Sequence, residues 1–136
     1  MTFDAHDEAI ATFLAGYPPQ MATICQRLRA QVAQVAQTAP DAHEVLVARH
    51  NHIVYSPSAR PGWRIAYICP LREWAPLGLD YGGALDDPAG LLICEGQRMR
   101  HVKARMLEQA EAPELARLLA AGWAAGEAAV AARAGG

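Results

Sequence analysis

The residues best suited to chemistry cluster in two places. Arg98, Arg100, His101, Lys103 and Arg105 put four of the chain's 12 Lys and Arg, together with a histidine, within eight residues. Guanidinium groups grip a carboxylate or phosphate through paired N–H donors, and turn amides add to such a cradle. Arg98, Arg100, His101 and Lys103, beside a turn at Gly96, are therefore the candidate anion-binding set. Tyr81, next to Gly82-Gly83, is placed at the mouth of that site, because an aromatic with a polar tip suits a pocket rim. The plainer reading of the same run is a solvated sheet face whose edge charges discourage aggregation. The second place is His50-Asn51-His52. On a continuous strand this spacing puts both imidazoles on one face, as a transition metal needs. A turn there would make them diverge, and no third ligand is fixed by spacing.

Other catalytic patterns are absent. Gly82-Gly83 is not followed by the glycine and helix of a dinucleotide fingerprint, and there is no P-loop or nucleophile elbow. His43-Glu44 lacks the second histidine of a zinc-protease motif, the position being Val47. Cys94 stands beside Glu95, and a neighbouring carboxylate raises a thiol's pKa rather than activating it. The three cysteines form no CxxC pair. No enzymatic activity and no cofactor are expected, a metal ion on His50 and His52 being the one alternative.

Composition sets the frame for these residues. The chain has 136 residues, 52% of them apolar but 29 of them alanine, which supports one domain with a modest core. Its formal charge of −2 gives no whole-molecule field toward nucleic acid or anionic lipid. The acidic start does not resemble an export signal, and the least polar stretch, 118–126, is short of a bilayer span, so a cytoplasmic protein outside the membrane is expected.

Periodicity supplies the elements that must position the candidates. Asp4 or Thr2 can cap a first helix over 5–15. A second helix opens at Pro18-Pro19, with Met21, Ile24, Cys25, Leu28, Val32 and Val35 on its buried face and Arg27, Arg29, Gln31 and Gln34 mostly off it. Alternation then marks strands at 44–49, 52–56, 63–69 and 77–81, with a tight turn at His50-Asn51 between the first two. In the last strand, 99–106, Val102 and Ala104 face the core and His101, Lys103 and Arg105 face away. Pro113 opens a closing helix with Leu115, Leu118, Leu119, Gly122 and Trp123 on one face. The class is α+β, a central antiparallel sheet flanked by N-terminal and C-terminal helices.

Gly83, Leu85, Asp87, Pro88, Leu91 and Leu92, followed by Gly96 and then Arg100-His101-Val102-Lys103, resemble the YdhG-like family, catalogued as domain of unknown function 1801. Pro40, Asn51 and the helix behind Pro113 extend the likeness over about residues 10–125. Cys94-Glu95-Gly96-Gln97 departs from the family's Gly-x-Gly-Lys turn. The resemblance implies a small α+β fold similar to frataxin-like and YjbR-like domains. One branch of the family is described as an iron chaperone, but the acidic ridge such a role needs is reduced here to Asp4, Asp7 and Glu8.

The first expectation is a non-catalytic domain that binds a small anionic ligand or a protein partner through Arg98, Arg100, His101, Lys103 and Tyr81. The alternatives are a metal-handling protein using His50 and His52, and a structural module that forms a homodimer through its aromatic strands.

Overall fold

The computed structural model describes residues 3–58, 63–93 and 97–135. The fold is α+β, with helices before and after a six-stranded antiparallel sheet. α1 (Asp7–Leu14) follows a single 3-10 turn and turns Ile10 and Leu14 inward. α2 (Pro19–Val35) begins on a proline, whose missing N–H has no helical partner at that position anyway. The strands are β1 (His43–Val47), β2 (His52–Ser56), β3 (Ala66–Ile68), β4 (Ala75–Leu79), β5 (Leu92–Ile93) and β6 (Arg100–Ala104), and α3 (Leu107–Glu111) and α4 (Pro113–Gly135) complete the chain. Their spatial order is β1-β2-β3-β4-β6-β5, every neighbouring pair antiparallel.

Several boundaries differ from those the periodicity implies. Ala48–His50 forms a 3-10 turn, so Ala48 and Arg49 leave the first strand, and Asn51 closes the loop in the left-handed region at φ 57°. That region is open to Asn because its short polar side chain bonds locally. The third strand is confined to 66–68, and Ile65 and Ala66 just at its start are both buried, which breaks the alternation. Thr2, residues 59–62 between the second and third strands and the Gly96 turn lie outside the described residues.

The sheet register aligns two inward rows, Leu46, Ile53, Ile68, Leu77 and Val102, and Glu44, Tyr55, Ala66, Leu79 and Arg100. α2 and α4 cover this inner face. α4 comes close because Gly122 and Gly126 face the sheet: a Cβ at Gly126 would lie 2.6 Å from the Cβ of Ile65, and one at Gly122 2.8 Å from a methyl of Leu79. α4 extends well beyond 118–126 and is long and apolar enough, by length and composition, to cross a membrane. Its Leu115, Leu118, Leu119, Trp123 and Val130 are buried in the core instead.

One buried group contradicts the helical pattern of α2. Arg29 is 9% exposed and turns inward, where Nε and Nη2 grip Glu44 at 2.7 and 2.8 Å. Nη1 reaches Asp7 at 2.6 Å and Nη2 also donates to the Phe3 carbonyl at 2.7 Å. The Tyr55 hydroxyl donates to Glu44 at 2.8 Å. Four segments of the chain are joined at one guanidinium, which is the polar end of the core.

This end of the molecule is expected to weaken in alkali. Burial pushes the Cys25 thiol up from 9.0 to about 12, with Cys69 adding to it, and burial followed by the Glu44 charge raises Tyr55 well above its ordinary 10.0. A folded pKa raised above the unfolded one gives stability that is complete below the unfolded value and is lost as pH rises through the folded one. Urea midpoints should therefore fall between about pH 9 and 12. Cys25→Ala should flatten the first part of that fall, and an unchanged slope would mean the thiol is solvated.

Candidate functional site

Residues between the inward rows point to the other side of the sheet. Val45, Val54, Tyr67, Gly78, His101 and Ile93 form one row across all six strands, with His52 and Lys103 beside it. Apart from Gly78, every one of these is half-buried or exposed, whereas Ile53, Ile68, Leu77 and Val102 on the inner face are exposed by 4% or less. The outer face of the sheet is accessible, and its side chains are ones that can bind.

Two similar groups stand on it. Tyr67 lies across Gly78, where an added Cβ would fall 1.9 Å from its ring, so only glycine admits this placement. His52 stacks on Tyr67 at 5.0 Å between ring centres, and the Arg64 guanidinium lies 5.0 Å from the same ring. Arg64 Nε also donates to Asp80 at 2.9 Å. In the second group, Trp74 stacks on His101 at 6.0 Å, and Lys103 Nζ lies 4.1 Å from the Trp74 ring centre. Each group is thus an aromatic ring with an imidazole stacked on it and a cation over the ring.

Both imidazoles have lowered pKa values. Burial is the main cause for each, followed by Arg64 and His50 for His52 and by Lys103 for His101. They are neutral at pH 7 and become cationic only below the ordinary 6.5. Asp80 is shifted upward by burial, against the pull of Arg64 and Arg98, and its Oδ1 has no hydrogen-bond partner among the described residues.

The expected anion set does not assemble in one place. Strand alternation sends His101 and Lys103 to the outer face, while Arg100, paired with Leu79, takes an inner-face position against Gly82. Arg98 lies 5.0 Å over the Tyr81 ring in a shallow groove of about 240 Å³ with Gly83, Gln97 and Ala125. Cys94, Glu95 and Gly96 lie outside the described residues. His50 and His52 are likewise parted by the turn: His50 is exposed on it and His52 is on β2 against Tyr67. Among the described residues no three His, Cys, Asp or Glu side chains come together to hold a metal.

Arg64, Tyr67 and Trp74 were missing from the expected set. The alternation of 63–69 carries a signal for Tyr67, setting it on the face opposite Ala66 and Ile68. Trp74 precedes β4 in a turn, so no periodicity indicates which face it joins.

Charge is divided between the two layers. Lys103 lies on the outer side of β6 and Arg64 flanks Tyr67, whereas Asp7, Glu8, Glu108, Glu111, Glu114 and Glu127 belong to the helices. In the helical layer Arg27 pairs with Glu111 and Arg117 with Glu114, while Arg133 lies 5.2 Å from the Trp63 ring centre. Asp80 is buried against Arg64, and Glu73 is the exposed acid near Trp74. Six of the chain's 14 acids thus belong to the α-helices, and Lys103 stands on the outer face of the sheet.

No family model, curated protein or solved structure matches the chain.

Proposed function

We propose that this is a non-catalytic binding domain whose outer sheet face takes a small anion bearing a flat ring. Trp74 and Tyr67 supply stacking surfaces, and Lys103 and Arg64 supply the opposing charge. The observation that carries this reading is the paired arrangement of ring, imidazole and cation on an accessible face. The proposal includes membership of the YdhG-like family, supported by the motif at 83–103 and by helices that precede and follow an antiparallel sheet in the chain. It moves the site from the Tyr81 and Arg98 groove to the opposite side of β6.

An NMR titration with adenosine monophosphate, adenosine and inorganic phosphate tests it. The monophosphate should shift signals of His52, Tyr67, Trp74, His101 and Lys103 saturably and more strongly than either fragment. Lys103→Gln should weaken it about tenfold or more, since hydrogen bonds to a charged group contribute about 1.5–3 kcal/mol. Shifts confined to Tyr81 and Arg98, or none, would remove the reading.

The lowered imidazoles give this site a pH dependence. As pH falls below 6.5 and His101 takes up a proton, a positive charge is added beside Lys103, so anion affinity should rise. In the unliganded protein the sign is opposite. The unfolded chain protonates its histidines first, so stability is lost as pH falls from 6.5 toward the folded values. Parallel urea and affinity measurements between pH 7.5 and about 5, the latter with an aromatic sulfonate whose charge does not change in this range, should move in opposite directions. A joint decline would show that no imidazole faces the anion.

A further inference from the structure

We infer that the outer sheet face is a platform for single-stranded nucleic acid. The inference rests on the binding reading above and names its ligand class. It starts from the duplication: Tyr67 with His52 and Arg64, and Trp74 with His101 and Lys103, are the same device built twice. Tyr67 on β3 and His101 on β6 lie in one row with β4 between them, two strand spacings or roughly 10 Å apart. A ligand with one ring would engage one device and leave the other idle. A ligand that repeats ring and charge along its length engages both.

Single-stranded nucleic acid has that repeat. Its bases offer a flat face at every step and its phosphates a charge between them, and such strands are bound by aromatic platforms with cations following the backbone. A duplex keeps its ring faces stacked inside and presents only edges and phosphates, which the two rings cannot use. An acidic peptide brings the charge without the rings. The overall charge of −2 is no obstacle, because the acids of α1, α3 and α4 lie in the other layer and Arg64 and Lys103 belong to this one. Arg64 is held over Tyr67 by Asp80, which keeps its guanidinium beside the ring rather than free to leave it.

The test is fluorescence anisotropy of a labelled ten-nucleotide oligouridylate at low salt, with uridine monophosphate and decaglutamate as competitors. The oligonucleotide should bind at least about tenfold more tightly than the monophosphate. Its affinity should fall with salt with a log–log slope of about −1.4 to −2.1, as two or three phosphate contacts require. Trp74→Leu and Tyr67→Leu should each weaken it about 5- to 100-fold, since stacking contributes about 1–3 kcal/mol per base. Melting curves establish that each variant is folded, and the surface change Lys103→Gln, expected to flatten the salt slope by about 0.7, serves if they are not. An oligonucleotide no tighter than the monophosphate would overturn the inference and leave the single-ring reading standing. Binding of neither would remove both. Decaglutamate competing as well as unlabelled oligonucleotide would overturn it in favour of an acidic protein partner.

Discussion

Arg29→Ala is expected to lower the unfolding free energy by about 3–5 kcal/mol, because it leaves the buried Glu44 carboxylate without its countercharge. In a chain of this length that corresponds to a melting temperature lower by about 10–20 °C. Glu44 is 2% exposed and receives two hydrogen bonds from Arg29 and one from Tyr55. His6 Nδ1, at 3.6 Å, and the solvent beyond it are the nearest remaining sources of charge. The penalty belongs to the orphaned carboxylate more than to the lost pair, since replacing a whole buried pair by neutral groups is often tolerated. The double variant Arg29→Met with Glu44→Gln should accordingly be more stable than Arg29→Ala alone. Urea denaturation of both variants decides the point: a loss under about 1 kcal/mol in the single variant would mean water already reaches Glu44.

How far these features could be read from sequence depends on the range of the interaction. The turn at Asn51 was legible because left-handed geometry is a local property of Asn. The closing helix was legible because Leu115, Leu118, Leu119 and Trp123 repeat at helical spacing, and the facing of His101 and Lys103 followed from strand alternation. Arg29 was not legible. It stands one residue from Leu28 on the buried stripe, and what turns it inward is an acid 15 positions away in β1. The expected anion set failed for a related reason. Closeness in sequence made Arg100 and His101 look like partners, yet neighbours on a strand face opposite ways. The partners of His101 and Lys103 came from Trp74, some thirty positions earlier and outside any periodic segment. β5 and α3, at two and five residues, are too short to carry a period at all.

The second large effect is expected at the contact between α4 and the sheet. Gly126→Leu places a branched side chain where even a Cβ would lie 2.6 Å from the Cβ of Ile65 and 2.7 Å from its Cγ2. A branched Cβ fixed to its backbone cannot swing away as the end of a long side chain can, so α4 itself must lift off. Overpacking of this kind costs about 1–3 kcal/mol and occasionally more, and the upper end applies here because three atoms of Ile65, all within 3.0 Å of the added Cβ, must move together. Gly126→Ala is the milder test, since the gain in helix propensity of about 1 kcal/mol offsets part of the strain. Both act on the inner face, whereas Trp74, Tyr67 and Lys103 stand on the outer one. Gly126→Leu should therefore lower the urea midpoint strongly while affinity for a ring-bearing anion, measured where the variant is still folded, stays within about twofold of the parent. Lys103→Gln should do the reverse. If both substitutions changed stability and affinity together, the two faces of the sheet would be coupled, and the binding site would have to be sought on the side that α4 covers.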